Sequence, residues 1–271
     1  MQTLSVPAVL NAGMRERKRH GETIGFVPTM GFLHEGHLSL MRLARERCDH
    51  LVVSIYVNPL QFGPHEDLDR YPRDPEGDAE KCKSVGVDTL FLPPTLYDAD
   101  HSTSVQVSDL TRRLCGASRP GHFDGVTTVV ARLFGIVQPD IAVFGEKDYQ
   151  QLAVIRRMVR DLSLAVDVIG GPLIRDHDGL ALSSRNKYLN ATARTRALTL
   201  HRALLAMRDA HPSSVTERLA LGRKILEADR VDYLEIVNPD SLEPLTDVSG
   251  PARALVAAWI DNTRLIDNIG F

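Results

Sequence analysis

Two imidazoles in one short loop are the first candidates for chemistry in this 271-residue chain: His34 and His37, in Pro28-Thr-Met-Gly-Phe-Leu-His-Glu-Gly-His37. Imidazole N–H groups can meet the negative charge that builds on phosphoryl oxygens, and Gly36 leaves no side chain between the rings to block a phosphate chain. A β-rich run ends just before this loop, and Leu40, Leu43 and Ala44 take up helical spacing after it. The loop therefore lies at the carboxyl end of a strand and opens a helix, where α/β sheets bind ligands and backbone N–H groups attract phosphate.

Three chemistries compete for it. Gly31 and Gly36 have the GxxxxG spacing of a P-loop, but His37 and Leu38 stand where the phosphate lysine and the Mg²⁺ hydroxyl belong, so that reading fails. His34-Glu-Gly-His37 is close to a zinc-binding HExxH helix. There, however, the second histidine comes at i+3, Gly36 interrupts the helix that would present the pair, and no third ligand has motif spacing. The third reading is the HxGH arrangement of nucleotidyltransferases, whose chemistry attacks the α-phosphate of a nucleoside triphosphate and expels pyrophosphate. Two histidines in a plain surface turn are the alternative to all three.

The elements that must position this loop are legible as alternation. Short β-rich runs at 23–27, 51–57, 87–92, 141–144 and 166–169 are separated by helix-length amphipathic runs at 38–48, 75–84, 125–137 and 150–161. Such a pattern predicts a parallel sheet covered on both faces, an α/β fold with a doubly wound, Rossmann-like sheet over residues 1–173. Gly170, Gly171 and Pro172 then punctuate the chain, and a loop rich in Asp, Gly and Ser follows at 175–186. Helices at 191–210 and 215–228 and strands at 233–237 and 254–260 make residues 174–271 a smaller C-terminal α+β domain.

Composition closes off other classes. Hydrophobic residues at 43% and charged residues at 25% describe a chain that folds, and a net charge of −3 carries no excess suited to nucleic acid or a membrane surface. The apolar run at 254–260 is far short of the roughly 18 residues a membrane span needs. Residues 1–10 carry no basic leader, so the cytoplasm is the expected compartment. Cys48, Cys82 and Cys115 are an odd number without CxxC spacing, and read as reduced, mostly buried thiols.

Further motifs join the histidine loop in order: Val57-Asn-Pro-Leu-Gln-Phe-Gly63, Tyr71-Pro-Arg73, Arg119-Pro-Gly-His-Phe-Asp-Gly125, Phe144-Gly-Glu-Lys-Asp-Tyr-Gln-Gln-Leu152 and Leu182-Ser-Ser-Arg-Asn186. Together they closely resemble the pantothenate synthetase family, from the first strand to Asn186. The resemblance implies a ligase that joins pantoate to β-alanine in two steps. Pantoate first attacks ATP to give pantoyl adenylate and pyrophosphate; the β-alanine amine then attacks the acyl carbon and releases AMP.

The same resemblance implies residue roles. His34, His37 and Lys147 would meet the ATP phosphates, and Asp148 the ribose, with Met30, Gly31, Gly145, Ile174 and Leu182 lining the nucleotide site. Ser183, Ser184 and Arg185 are similar to a mobile cationic loop over the triphosphate. Gln61 and Gln151 would hold pantoate, their neutral amides donating to a carboxylate and accepting from hydroxyls without an opposing ion pair. Gln150 precedes Gln151, and a helix starting one residue differently would exchange their roles. Asn58, Tyr71 and Arg119 would also line the pantoate and β-alanine site. His122 is either a packing or a catalytic residue, and Met30 and Phe62 are either walls around the pantoate methyl groups or core.

Mg²⁺ is expected with ATP, since it neutralises phosphate charge and typically binds through one or two carboxylates; Asp78 is its candidate contact, with Glu76 or water as substitutes. The C-terminal domain is expected to act as a lid hinged at Gly170-Gly171, excluding water from the acyl adenylate. A homodimer is implied by the family. Two other functions compete: a plain nucleotidyltransferase with no amine step, against which the neutral Gln61 and Gln151 argue, and a nucleotide-binding regulatory protein without turnover.

Overall fold

A computed structural model describes residues 1–64, 66–210 and 214–271. The chain divides into two compact units. The first comprises residues 1–109, 119–146 and 151–172, and the second comprises 173–271 together with two short segments, 110–118 and 147–150. Those two segments lie inside what a linear boundary assigns to the first domain.

The first unit is built on a six-stranded parallel sheet of β1 (Gln2–Leu4), β2 (Ile24–Thr29), β3 (His50–Ile55), β4 (Thr89–Phe91), β5 (Ile141–Gly145) and β6 (Asp167–Gly171). Their spatial order is β1-β4-β3-β2-β5-β6, and every pair is parallel. The winding reverses between β2 and β5, so the crevice that open α/β sheets use for ligands lies at the carboxyl ends of these two strands. Central strands are apolar on both faces, as parallel strands under helices must be: Ile24, Phe26, Val27, Leu51, Val52 and Val53 have no exposed surface.

The helices α1 (Pro7–Arg19), α2 (Glu35–Arg45), α3 (Pro75–Ser84), α5 (His122–Val137) and α6 (Tyr149–Asp161) belong to this layer; α4 (Leu114–Ser118) is one short turn in the second unit. α3 begins with Pro75 at its first position, and the Asp74 side chain accepts from Gly77 N at 3.1 Å. α5 is bracketed by left-handed residues, Gly121 before it and Gln138 after it. β1 and α1 are absent from the sequence expectation. β1 is only three residues long, and α1 shows just Leu10 and Met14 to the core, too few for a strong helical stripe.

Gly170 and Gly171, where the sequence suggests a hinge, are the last residues of β6, just before the second unit resumes at Leu173. A Cβ on Gly171 would stand 2.2 Å from Leu40 Cδ2 of α2, and one on Gly170 2.9 Å from Leu152 Cδ2 of α6. The pair lets helices approach the sheet closely.

The second unit has α7 (Ala191–Asp209) and α8 (Val215–Ile225) packed with an antiparallel sheet of β7 (Arg230–Val237), β8 (Arg253–Ile260) and β9 (Thr263–Gly270), in that order. Its core joins Leu200, Leu204 and Met207 of α7 to Leu234, Val256 and Ile260 of the sheet. β9 is the strand the sequence pattern misses: Arg264, Asp267 and Asn268 interrupt its apolar alternation. Asp267 is nonetheless buried, held by a two-point ion pair with Arg175 at 2.7 and 2.9 Å. Cys48, Cys82 and Cys115 are free thiols, the last two buried, and no helix among the described residues is long and apolar enough to cross a membrane.

Candidate active site

β2 delivers the chain into a tight turn in which Gly31 (φ 85°) and Phe32 (φ 51°) are both left-handed. The turn aims the N–H groups of Phe32 and Leu33 at one point, a concavity suited to an anion, and a side chain fills it. Asp78 Oδ2 accepts from Phe32 N and its Oδ1 from Leu33 N, each at 2.7 Å. Only glycine fits at 31, since a Cβ there would lie 2.8 Å from Ile55 Cγ2 and 3.0 Å from Asp78 Oδ2. Asp78 is buried in α3 with Lys81 Nζ at 3.9 Å, and burial pushes its carboxyl above the usual range against the pull of the two amides and the lysine. The residue expected at a metal therefore stands behind the histidine loop and fixes it. Among the described residues no group of three or more His, Cys, Asp or Glu is arranged to hold a metal ion.

The constrained turn sets His34 as the N-cap of α2, with extended backbone, and His37 in its first turn. The helix starts at Glu35, earlier than expected, because a glycine in a first turn breaks no intrahelical bond. The His34 N–H donates to His37 Nδ1 at 3.3 Å, and the two rings lie 4.1 Å apart between centroids. A neutral His37 that accepts at Nδ1 carries its proton on Nε2, as a donor.

After β3, the chain reaches a 3₁₀ turn, Pro59–Gln61, in which Gln61 is fixed from both ends. Its backbone carbonyl accepts from His122 Nδ1 at 2.8 Å and from Arg119 Nη2 at 3.2 Å. Because Arg119 has only donors, its contact with His122 Nε2 at 2.9 Å makes that nitrogen the acceptor and leaves the proton on Nδ1. His122 thus does more than pack: it holds the Gln61 backbone. Arg119 is itself clamped by Glu66, with two contacts of 2.6 Å. Burial pushes the Glu66 carboxyl up, but the bonds and charge of Arg119 outweigh it and hold the carboxyl below its usual range.

The side chain of Gln61 is held by Asn58, which is 1% exposed and stands behind it. Asn58 Nδ2 donates to Gln61 Oε1 at 3.1 Å and to Gly125 O at 3.0 Å. Gln61 Nε2 faces the Met30 sulfur at 3.2 Å. Tyr71 is buried edge-on to Phe62, with ring centroids 6.0 Å apart. Gly145 ends β5, and Gln151 is half-buried on α6.

Lys147, Asp148, Ile174, Leu182, Ser183, Ser184 and Arg185 belong to the second unit. Lys147 and Asp148 share a 3₁₀ turn after β5, with Lys147 Nζ 3.7 Å from Asp148 Oδ2 and Lys147 O accepting from Asn268 Nδ2 at 3.0 Å. Leu182 N donates to Ile174 O at 3.0 Å, closing the 174–182 loop. Ser183 then caps a 3₁₀ helix, Ser184–Tyr188, by accepting from Arg185 N at 3.3 Å, and Ser184 is buried. Gln150 is fully engaged here: Oε1 accepts from Cys115 N at 2.9 Å, and Nε2 donates to Leu110 O and Arg113 O at 2.8 and 2.9 Å. Of the two neighbouring glutamines, Gln150 is the structural one.

Sequence reasoning passed over two features. Nothing in the spacing links Asp78 to a loop 45 residues earlier. Tyr97, whose hydroxyl donates to Asn58 Oδ1 at 3.0 Å, lies in an irregular stretch without periodicity.

A parallel sheet with its switch point at β2/β5, a histidine pair opening the helix after β2, and an amide-bearing turn after β3 define a doubly wound α/β protein of the ligand-binding type. The Pantoate-beta-alanine ligase family matches residues 2–270. The pantothenate synthetase of Moorella thermoacetica is 50% identical over 278 residues, 99% of this chain and 98% of its own. The crystal structure of pantothenate synthetase from Thermus thermophilus matches with a TM-score of 0.94 at 52% identity, covering 99% of both chains. The pantoate-beta-alanine ligase from Francisella tularensis, complexed with β,γ-ATP and β-alanine, matches with a TM-score of 0.84 at 32% identity, covering 99% of this chain and 97% of its own. The chain belongs to the pantoate-β-alanine ligase family.

Proposed function

We propose that the protein condenses (R)-pantoate with β-alanine at the expense of ATP, producing pantothenate for coenzyme A synthesis. A carboxylate is a poor acyl donor because its leaving group would be oxide. The pantoate oxygen therefore attacks the α-phosphorus of ATP and expels pyrophosphate, and the β-alanine nitrogen then attacks the acyl carbon and expels AMP.

The observation that carries this reading is the His34–His37 pair, held by Asp78 at the carboxyl end of β2 in a chain half identical to named pantothenate synthetases. His37 Nε2–H supplies a fixed donor for phosphoryl oxygens as charge builds in the adenylation step, and His34 caps the same helix end. Gln61 and Gln151 hold pantoate through their amides, with Met30 and Tyr71 as apolar walls. Arg119 shapes that side of the site through Glu66 and the Gln61 carbonyl. Lys147, Asp148, Ser183, Ser184 and Arg185 bind nucleotide, Gly31, Gly145, Ile174 and Leu182 line its site, and these roles rest on the resemblance of their motifs. Mg²⁺ enters as part of the MgATP substrate, carried by the phosphates, because Asp78 is buried beneath the loop whose N–H groups it accepts.

Residues 174–271 as a lid that shields the acyl adenylate, a homodimeric assembly and a cytoplasmic location complete the proposal. ATP–pyrophosphate exchange without β-alanine is the test. Exchange that depends on pantoate supports the two-step reaction, and a stable adenylylated product with no free AMP on adding β-alanine favours a plain nucleotidyltransferase. Equal hydrolysis of the adenylate with the lid locked open or closed would remove the shielding role.

A further inference from the structure

The Gln61 carboxamide could in principle meet a ligand with either its oxygen or its nitrogen, and the two choices recognise different chemistry. The surroundings decide between them. Asn58 is oriented by main-chain groups that cannot exchange roles: Gly125 O only accepts, so it takes Asn58 Nδ2, and Leu60 N only donates, so it takes Oδ1. The second Nδ2 proton then falls to Gln61 Oε1, which turns Nε2 toward Met30. A thioether is a weak acceptor that a ligand oxygen readily displaces. Gln61 therefore offers a donor, suited to an anionic or hydroxyl oxygen.

The link holding Asn58 at its oxygen is uneven. The Leu60 N contact is long, 3.4 Å, whereas the Tyr97 hydroxyl reaches the same oxygen at 3.0 Å. Tyr97 is itself set in place: its ring lies 4.6 Å from that of His101 and 6.3 Å from that of Tyr56, and the Arg132 guanidinium sits 5.8 Å over it. Burial raises its phenol well above the usual range, so the proton stays on as a donor.

We infer that Tyr97 is a positioning residue for the acid substrate: its hydroxyl, acting through Asn58, keeps the amino end of Gln61 presented to pantoate. The chain runs Tyr97 O–H to Asn58 carbonyl, Asn58 N–H to Gln61 carbonyl, and Gln61 N–H to substrate oxygen. Each link polarises the next, strengthening the final donor. This rests on the reading above that Gln61 binds pantoate.

The test compares Tyr97→Phe, Gln61→Ala and the double variant in the full-length protein, with separate KM values for pantoate and ATP and a thermal melt for each. Tyr97→Phe removes one oxygen and keeps the ring. It is expected to raise the pantoate KM about three- to tenfold, the range set by one hydrogen bond, with the ATP KM and kcat within about twofold. On a Gln61→Ala background the same change is expected to have no further effect on pantoate KM. A full, multiplicative effect in the double variant, or an unchanged pantoate KM in Tyr97→Phe alone, overturns the inference while leaving Gln61 in place. An unchanged pantoate KM in Gln61→Ala overturns the reading of Gln61 and the inference with it.

Discussion

Asp78 Oδ1 stands 2.7 Å from the amide nitrogen of Leu33, one residue before the first histidine of the loop. A carboxylate on α3 thereby determines where a histidine pair at the start of α2 is placed. The turn it supports is not one the chain would adopt by itself, because Phe32 is a bulky residue held at a positive φ.

Replacing Asp78 with Asn should show this directly. One acceptor survives, but the other position becomes an N–H facing a backbone N–H. The expected cost is about 1–3 kcal/mol of stability, with adenylation slowed about 10- to 100-fold as the histidines lose their placement. Urea denaturation and ATP–pyrophosphate exchange measure the two effects. A stable variant that exchanges at the normal rate would show that the loop holds its shape without the anion.

How far the sequence carries is clear from this pair. Val27, Met41 and Ala44 mark their elements through periodicity, which is a local signal, so β2, α2 and the loop between them are legible, whereas the order of the strands in the sheet is not. His34 and His37 are also legible, by spacing. The anchor of the histidine loop on Asp78, the tie from Tyr97 to Asn58 and the clamp of Glu66 on Arg119 are long-range pairings that each involve an irregular segment, and no local pattern encodes them. Gly36 misleads for the opposite reason: a residue that weakens helix interiors costs little in a first turn.

His37 does two jobs that substitution can separate. Its Nδ1 accepts the His34 N–H, a capping bond, while its Nε2–H is the proposed phosphate donor. His37→Ala should lose both, with turnover down about 10²- to 10³-fold and stability down about 1 kcal/mol. His37→Asn, whose side-chain oxygen can restore the cap, should recover the stability in a thermal melt but not the turnover. Recovery of turnover would place the value of His37 in the helix start alone.

The Glu66–Arg119 clamp predicts a pH dependence. The Glu66 carboxyl is held below its usual range in the folded protein, so its contribution is present above the unfolded carboxylate pKa, roughly 4.3, and is lost as pH falls through the lower folded value. Glu66→Gln should therefore be less stable than the parent by about 1–2 kcal/mol at neutral pH. The gap should be flat above about pH 5.5 and close below about pH 4. Denaturation curves of both proteins across that range provide the check, and a gap that widens toward acid would reverse the assignment.

Gln150 and Gln151 are adjacent and identical in type, and the position of the first turn of α6 separates them. Gln150 is 4% exposed and makes three hydrogen bonds to main-chain groups of residues 110–115, whereas Gln151 is half-buried in the first unit. Gln150→Ala would strand a buried N–H and two carbonyls, costing about 2–4 kcal/mol, with any loss of activity following the melting transition. Gln151→Ala should leave the melt nearly unchanged and raise the pantoate KM about tenfold or more, as expected for a donor lost from a polar ligand. If the two variants exchange these signatures, the pantoate contact belongs to Gln150, and α6 begins its binding face one residue earlier than its hydrogen bonds indicate.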